Sequence, residues 1–113
     1  MMKVTTEQVN GIAVVRVREP RLIFPMLSEF SSAVTALIAA GQSELLIDLT
    51  SVTYVDSAAI GCFMDLYRRV HHAGGRLKLS GVQQRVETML TITGAHKFIE
   101  LYADESMALQ AFR

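Results

Sequence analysis

Residues 45–61 read LLIDLTSVTYVDSAAIG, and the fold follows from how this stretch is parsed. Leu45-Leu46-Ile47 is a short apolar run that ends in Asp48, Thr50, Ser51 and Thr53. Bounded by turn signals in this way, it reads as a strand buried in a parallel sheet. Tyr54-Val55 is a second apolar pair and leads into Asp56-Ser57. After Ser57 the period changes, because Ile60, Phe63, Met64, Tyr67 and His71 recur at helical spacing. The stretch is therefore a strand, a loop and the start of a helix that carries a hydroxyl. Any activity is expected there.

On the N-terminal side, Lys3 to Val9 reads as an edge strand and Asn10-Gly11 as a tight hairpin turn, since both residues tolerate positive φ. Ile12 to Val17 follows as a more central strand, because Ile12-Ala13-Val14-Val15 is apolar on both faces. Pro20 ends it. Leu22-Ile23-Phe24 is an apolar approach to a helix with Pro25 in its first turn. Leu27, Phe30, Val34, Leu37 and Ile38 mark the helix's inner face, and Gly41 closes it. The next strand is Glu44 to Leu49.

On the C-terminal side, the helix from Ser57 to Ala73 is stopped by Gly74-Gly75. Arg76 to Leu79 makes a further strand. Ser80 and Gln83 suggest a capping box for a helix with Val82, Val86, Met89 and Leu90 on one face. Thr93-Gly94 ends that helix, and Phe98 to Leu101 reads as a short last strand. Asp104 caps a final helix whose apolar side is Met107, Ala108, Ala111 and Phe112. The alternation predicts one α/β domain over residues 1–113. Its sheet should have four to five strands, mostly parallel, with an N-terminal hairpin and about four helices.

Composition narrows the function. Of the 113 residues, 50% are hydrophobic and 19% charged, with eleven basic residues balancing eleven acidic ones. No basic face of the kind that binds nucleic acid is visible. Cys62 is the one cysteine, so no internal disulfide can form, which suits the cytoplasm. Met1 to Asn10 holds no apolar stretch suited to a signal peptide, and no run approaches a membrane span, so direct membrane insertion is not expected.

The candidate chemistry is sparse. Ser57 could cap the helix, although Asp56 competes for that role. As a hydroxyl at a helix start it could also accept a phosphate. As a nucleophile it lacks an oriented base. His71 and His72 diverge around a helix, with His71 on the side of Tyr67 and expected to pack, and His96 lies far along the chain, so no metal set converges. Cys62 reads as a small buried hydrophobe. Asp48 and Asp56 stand at opposite ends of the strand–loop unit, too far apart for paired-carboxylate work. Gly74, Gly75 and Gly81 do not follow a nucleotide fingerprint, so no cofactor is expected. These residues favour a binding or switch module over an enzyme.

The same residues resemble the STAS domain of bacterial anti-sigma factor antagonists and sulfate transporters. The likeness runs through Leu46-Ile47-Asp48-Leu49, Val52 and Tyr54 to Gly61. It continues through Gly74 to Val82, through Val86, Leu90 and Thr93-Gly94, and through Tyr102 to Leu109. In the antagonists the residue matching Ser57 is phosphorylated by a serine-kinase anti-sigma factor and restored by a serine phosphatase. The unmodified form captures the anti-sigma factor. The resemblance thus implies a phosphorylation site at Ser57 and a protein-binding surface of Asp56, Ser57, Ala58, Ile60 and Gly61, with Leu22 and Phe24 from the preceding loop. That surface is expected to be neutral and partly apolar, and Leu22, Ile23 and Phe24 to favour weak self-association.

Two stretches depart from the family pattern. Ala58-Ala59 stands where a second Ser or Thr and then glycine is usual. Arg18 to Pro25 is apolar and carries two prolines where a polar loop is usual. Both suit a second reading, a STAS scaffold subunit that is not phosphorylated, such as the soluble component of a lipid-transporting ABC system.

Overall fold

A computed structural model of the chain describes residues 2–113. The hairpin forms as the sequence predicts: β1 (Val4–Val9) pairs antiparallel with β2 (Ile12–Val17) across Asn10-Gly11, both at positive φ. A two-residue strand, β3 (Arg21–Leu22), and a 3-10 turn over Phe24–Met26 lead into α1 (Leu27–Ala39). Then come β4 (Glu44–Asp48), β5 (Tyr54–Val55), α2 (Ser57–His72), β6 (Arg76–Ser80), α3 (Gln84–Thr93) and α4 (Glu105–Gln110).

The main sheet runs β1-β2-β4-β6, parallel except at the hairpin. The two strands that are apolar on both faces, β2 and β4, are its interior strands, as burial requires. On one face, Ala13, Val15, Leu45, Ile47 and Leu79 pack under α1, α2 and α3. There Phe30 meets Phe63 edge to face, with ring centres 5.8 Å apart. On the other face, Ile12, Val14 and Leu46 are covered by Ala108 and Phe112.

Glycine serves the α2–β6 joint twice. Gly74 takes the left-handed position that closes α2, with the Gly75 amide bonded back to the Val70 carbonyl. Gly75 lets the chain pass close to Ser43, whose carbonyl oxygen would lie 2.2 Å from an added Cβ.

Several expectations are corrected. Leu22 is not a surface residue: β3 pairs in parallel with β5, Leu22 opposite Val55, and Leu22 is fully buried. Phe98 to Leu101 contributes only a single bridge, Leu101 to Leu79. The Ser80/Gln83 capping box does not form, because Gln83 is itself the cap residue and its amide donates to the Thr50 carbonyl at 2.7 Å. In α4 the inward residues are Ala108 and Leu109, while Met107 is exposed. The His71 ring is exposed and stacks on Tyr67, with ring centres 5.7 Å apart. Cys62 is half-buried against the core.

Candidate functional site at the start of the second long helix

Asp56 settles the contest for the cap. Its backbone is extended, and one carboxylate oxygen accepts the Ala59 amide at 2.8 Å. The other oxygen accepts the Phe24 amide at 2.9 Å. Both oxygens are thus engaged, one on α2 and one on the loop before α1. Ser57 becomes the first residue of α2. Its hydroxyl is exposed and makes no hydrogen bond among the described residues.

The two flanking loops are joined beneath this point. The Thr53 amide and hydroxyl both donate to the Pro20 carbonyl, at 2.8 and 3.0 Å, and β3 lies along β5. The apolar character of Leu22 is spent on this joint. Phe24, two residues on, remains 71% exposed beside Asp56. Of the residues proposed to bind a partner, Ser57 and Gly61 are exposed, and Asp56 and Ala58 are half-buried. Ile60 shows only an edge and Leu22 nothing.

The surface is also more basic than expected. Arg21 and Arg85 both lie over the Tyr54 ring, 5.4 and 5.7 Å from its centre, three residues before Ser57. On the other side, a groove of ≈ 370 Å³ runs along α2 from Ser57 past Gly61 and Met64 to Arg68. The turn after α3 closes its far wall with Gly94 and Phe98, the latter 59% exposed. The α2 wall was readable, because Ser57, Gly61, Met64 and Arg68 follow helical spacing. Phe98, Arg21 and Arg85 arrive through tertiary packing and left no local signal. Cys62 faces the core side of α2, where burial and then Asp65 push its thiol pKa up. Among the described residues, no three His, Cys, Asp or Glu side chains converge as a metal set would.

A second cluster ties the far face together. Arg16 of β2 pairs with Asp48 at 2.8 Å, with Glu105 at 2.5 Å and with Glu7. Asp48 also accepts the Thr50 amide and hydroxyl, at 2.9 and 2.5 Å. Burial raises the Asp48 pKa, but these bonds and Arg16 outweigh it and hold the carboxyl below its ordinary value. The cluster anchors α4 and lies on the face opposite α2.

The model of the STAS domain family matches residues 3–108. The chain belongs to this family. Among curated relatives, the anti-sigma-B factor antagonist of Bacillus subtilis is 32% identical over 73 residues, 65% of this chain and 67% of that protein. The chain spans between half and two thirds of the length of the curated relatives it matches. Two solved structures show the STAS fold. An anti-sigma factor antagonist from Mycobacterium paratuberculosis superposes with a TM-score of 0.89 at 22% identity, covering 100% of this chain and 95% of that one. Phosphorylated Bacillus SpoIIAA superposes with a TM-score of 0.75 at 17% identity, covering 98% and 100%. No helix of the described residues is long and apolar enough to cross a membrane.

Proposed function

We propose that this protein is an anti-sigma factor antagonist: it holds a serine-kinase anti-sigma factor while Ser57 is unmodified and releases it when Ser57 is phosphorylated. One observation carries the reading. Asp56 spends both carboxylate oxygens on backbone amides, so the helix start needs nothing from the Ser57 hydroxyl, which stays exposed and free to accept a phosphoryl group. The Bacillus subtilis relative, an anti-sigma-B factor antagonist 32% identical over 73 residues, supports the same role.

Phosphorylation adds about −1.5 to −2 charges at pH 7. The first turn of α2 tolerates that charge, because the Ser57 and Ala58 amides lack intrahelical partners and the dipole favours an anion. The fold therefore persists. A docked partner instead meets a charged group where a hydroxyl stood, and an uncompensated charge in an interface costs about 3–5 kcal/mol. Release follows without a large change of shape. A serine phosphatase resets the surface.

Wild type, Ser57→Ala and Ser57→Asp, each used to retain the anti-sigma factor, test the reading. Wild type and Ser57→Ala should hold it and Ser57→Asp should not. Equal retention by all three would contradict the switch. It would point instead to the unphosphorylated scaffold role that the Ala58-Ala59 departure also suits.

A further inference from the structure

Helix α2 carries a glycine that the chain itself does not need. Gly61 lies in the helix interior, exposed, and a Cβ built there would meet nothing within 4 Å. Gly75 and Gly81 differ, since an added Cβ would strike the backbone of Ser43 or Thr50. Glycine in a helix interior is less favourable than alanine, because it loses more freedom on folding. A bare backbone with no use inside the molecule suits close approach by a second chain.

The groove beside Gly61 describes that chain. Ile60, Met64 and Phe98 make it apolar. Arg68, at its end, is the only charged side chain in the lining. Its charge is unanswered among the described residues, and the nearest acid on the helix, Asp65, pairs with Arg69 at 3.5 Å. Ser57, Gly61, Met64 and Arg68 are spaced by four, three and four residues, so they form one stripe along α2.

We infer that, in the antagonist role proposed above, the groove receives an acidic amphipathic helix of the anti-sigma factor. It crosses α2 at Gly61, places an apolar side chain between Met64 and Phe98, and sets a carboxylate on Arg68. The missing Cβ lets the two helix axes close to the near end of the usual packing range. The guanidinium fork matches a carboxylate with two hydrogen bonds. The same geometry adds to the release step. A phosphate on Ser57 stands one turn from the crossing point, on the stripe that the acidic helix covers, and repels it.

The test uses the purified serine-kinase anti-sigma factors of the source organism. Each is titrated calorimetrically against wild type, Gly61→Ala, Arg68→Glu and Arg68→Lys, with a thermal melt of every variant. Gly61→Ala should melt above wild type yet bind about tenfold more weakly, a split that a purely structural glycine could not produce. Arg68→Glu should bind about a hundredfold more weakly, with Arg68→Lys recovering part of the loss. If wild type binds an anti-sigma factor and all variants bind alike, the groove assignment is overturned and the Ser57 switch stands. If wild type binds none of them, both fall together.

Discussion

Asp56 and Ser57 divide between them two duties that a single residue often combines. Asp56 supplies the helix cap and, through its second oxygen, fixes the loop that presents Phe24. Ser57 supplies a hydroxyl with no structural duty. The division predicts opposite stability effects at adjacent positions. Asp56→Ala should cost about 1–2 kcal/mol in urea unfolding, since it loses a cap and a second amide bond. Ser57→Ala should stay within about 0.5 kcal/mol of wild type. If Ser57→Ala were the more damaging, the hydroxyl would be structural and the switch would lose its basis. Neighbouring aspartate and serine are both good caps, so the order of roles was not legible in the sequence. It follows from the Phe24 amide, which only the aspartate can satisfy at the same time.

At the scale of elements, much was legible. The doubly apolar runs in β2 and β4, the Asn10-Gly11 turn and the Gly74-Gly75 stop each carry a local signal strong enough to override alternatives. What was hidden depends on partners distant in sequence. Two residues, Arg21 and Leu22, become a strand only because β5 lies beside them. Gln83 turns to the Thr50 carbonyl because Gly81 brings the two loops together, its would-be Cβ only 2.2 Å from the Thr50 hydroxyl. Gly81→Ala should therefore cost at least about 2 kcal/mol, from positive φ and backbone collision together. Denaturant unfolding checks this, and a neutral result would mean that the loop yields.

The docking of α4 combines apolar packing with charge. It rests on Ala108, Phe112 and the Arg16–Glu105 pair, with Asp48 sharing the guanidinium. The Asp48 carboxyl has a folded-state pKa below its ordinary value of 3.8, so the stability it contributes is present above that value. It is lost as pH falls through the lower, folded-state value. Asp48→Asn should remove this share of the acid sensitivity. Wild type and variant compared by urea unfolding at pH 7 and near pH 3 should differ less at the lower pH. A gap that stayed constant would show that Asp48 titrates as a free carboxyl.

Across the whole molecule, the two faces of the sheet do different work. The α4 face is closed by a small apolar cluster and the Arg16 ion pairs beside it, while the face bearing α1, α2 and α3 ends in the loops that surround Ser57. Burial of Leu22 leaves Phe24 as the one exposed member of the Leu22–Phe24 segment, with Ile23 half-buried. One exposed phenyl ring offers less apolar area than a stable dimer needs, so light scattering at high concentration should find no association through this loop. A dimer abolished by Phe24→Ser would restore self-association through this loop.

Phosphate on Ser57 should change binding without changing the fold. Calorimetric titration of one serine-kinase anti-sigma factor with unmodified and with stoichiometrically Ser57-phosphorylated protein measures it directly. Both forms should melt within a few degrees of each other, while the phosphorylated form should bind at least about a hundredfold more weakly, the ratio that about 3 kcal/mol of uncompensated interface charge produces. Equal affinity for the two forms would rule out a release switch at Ser57.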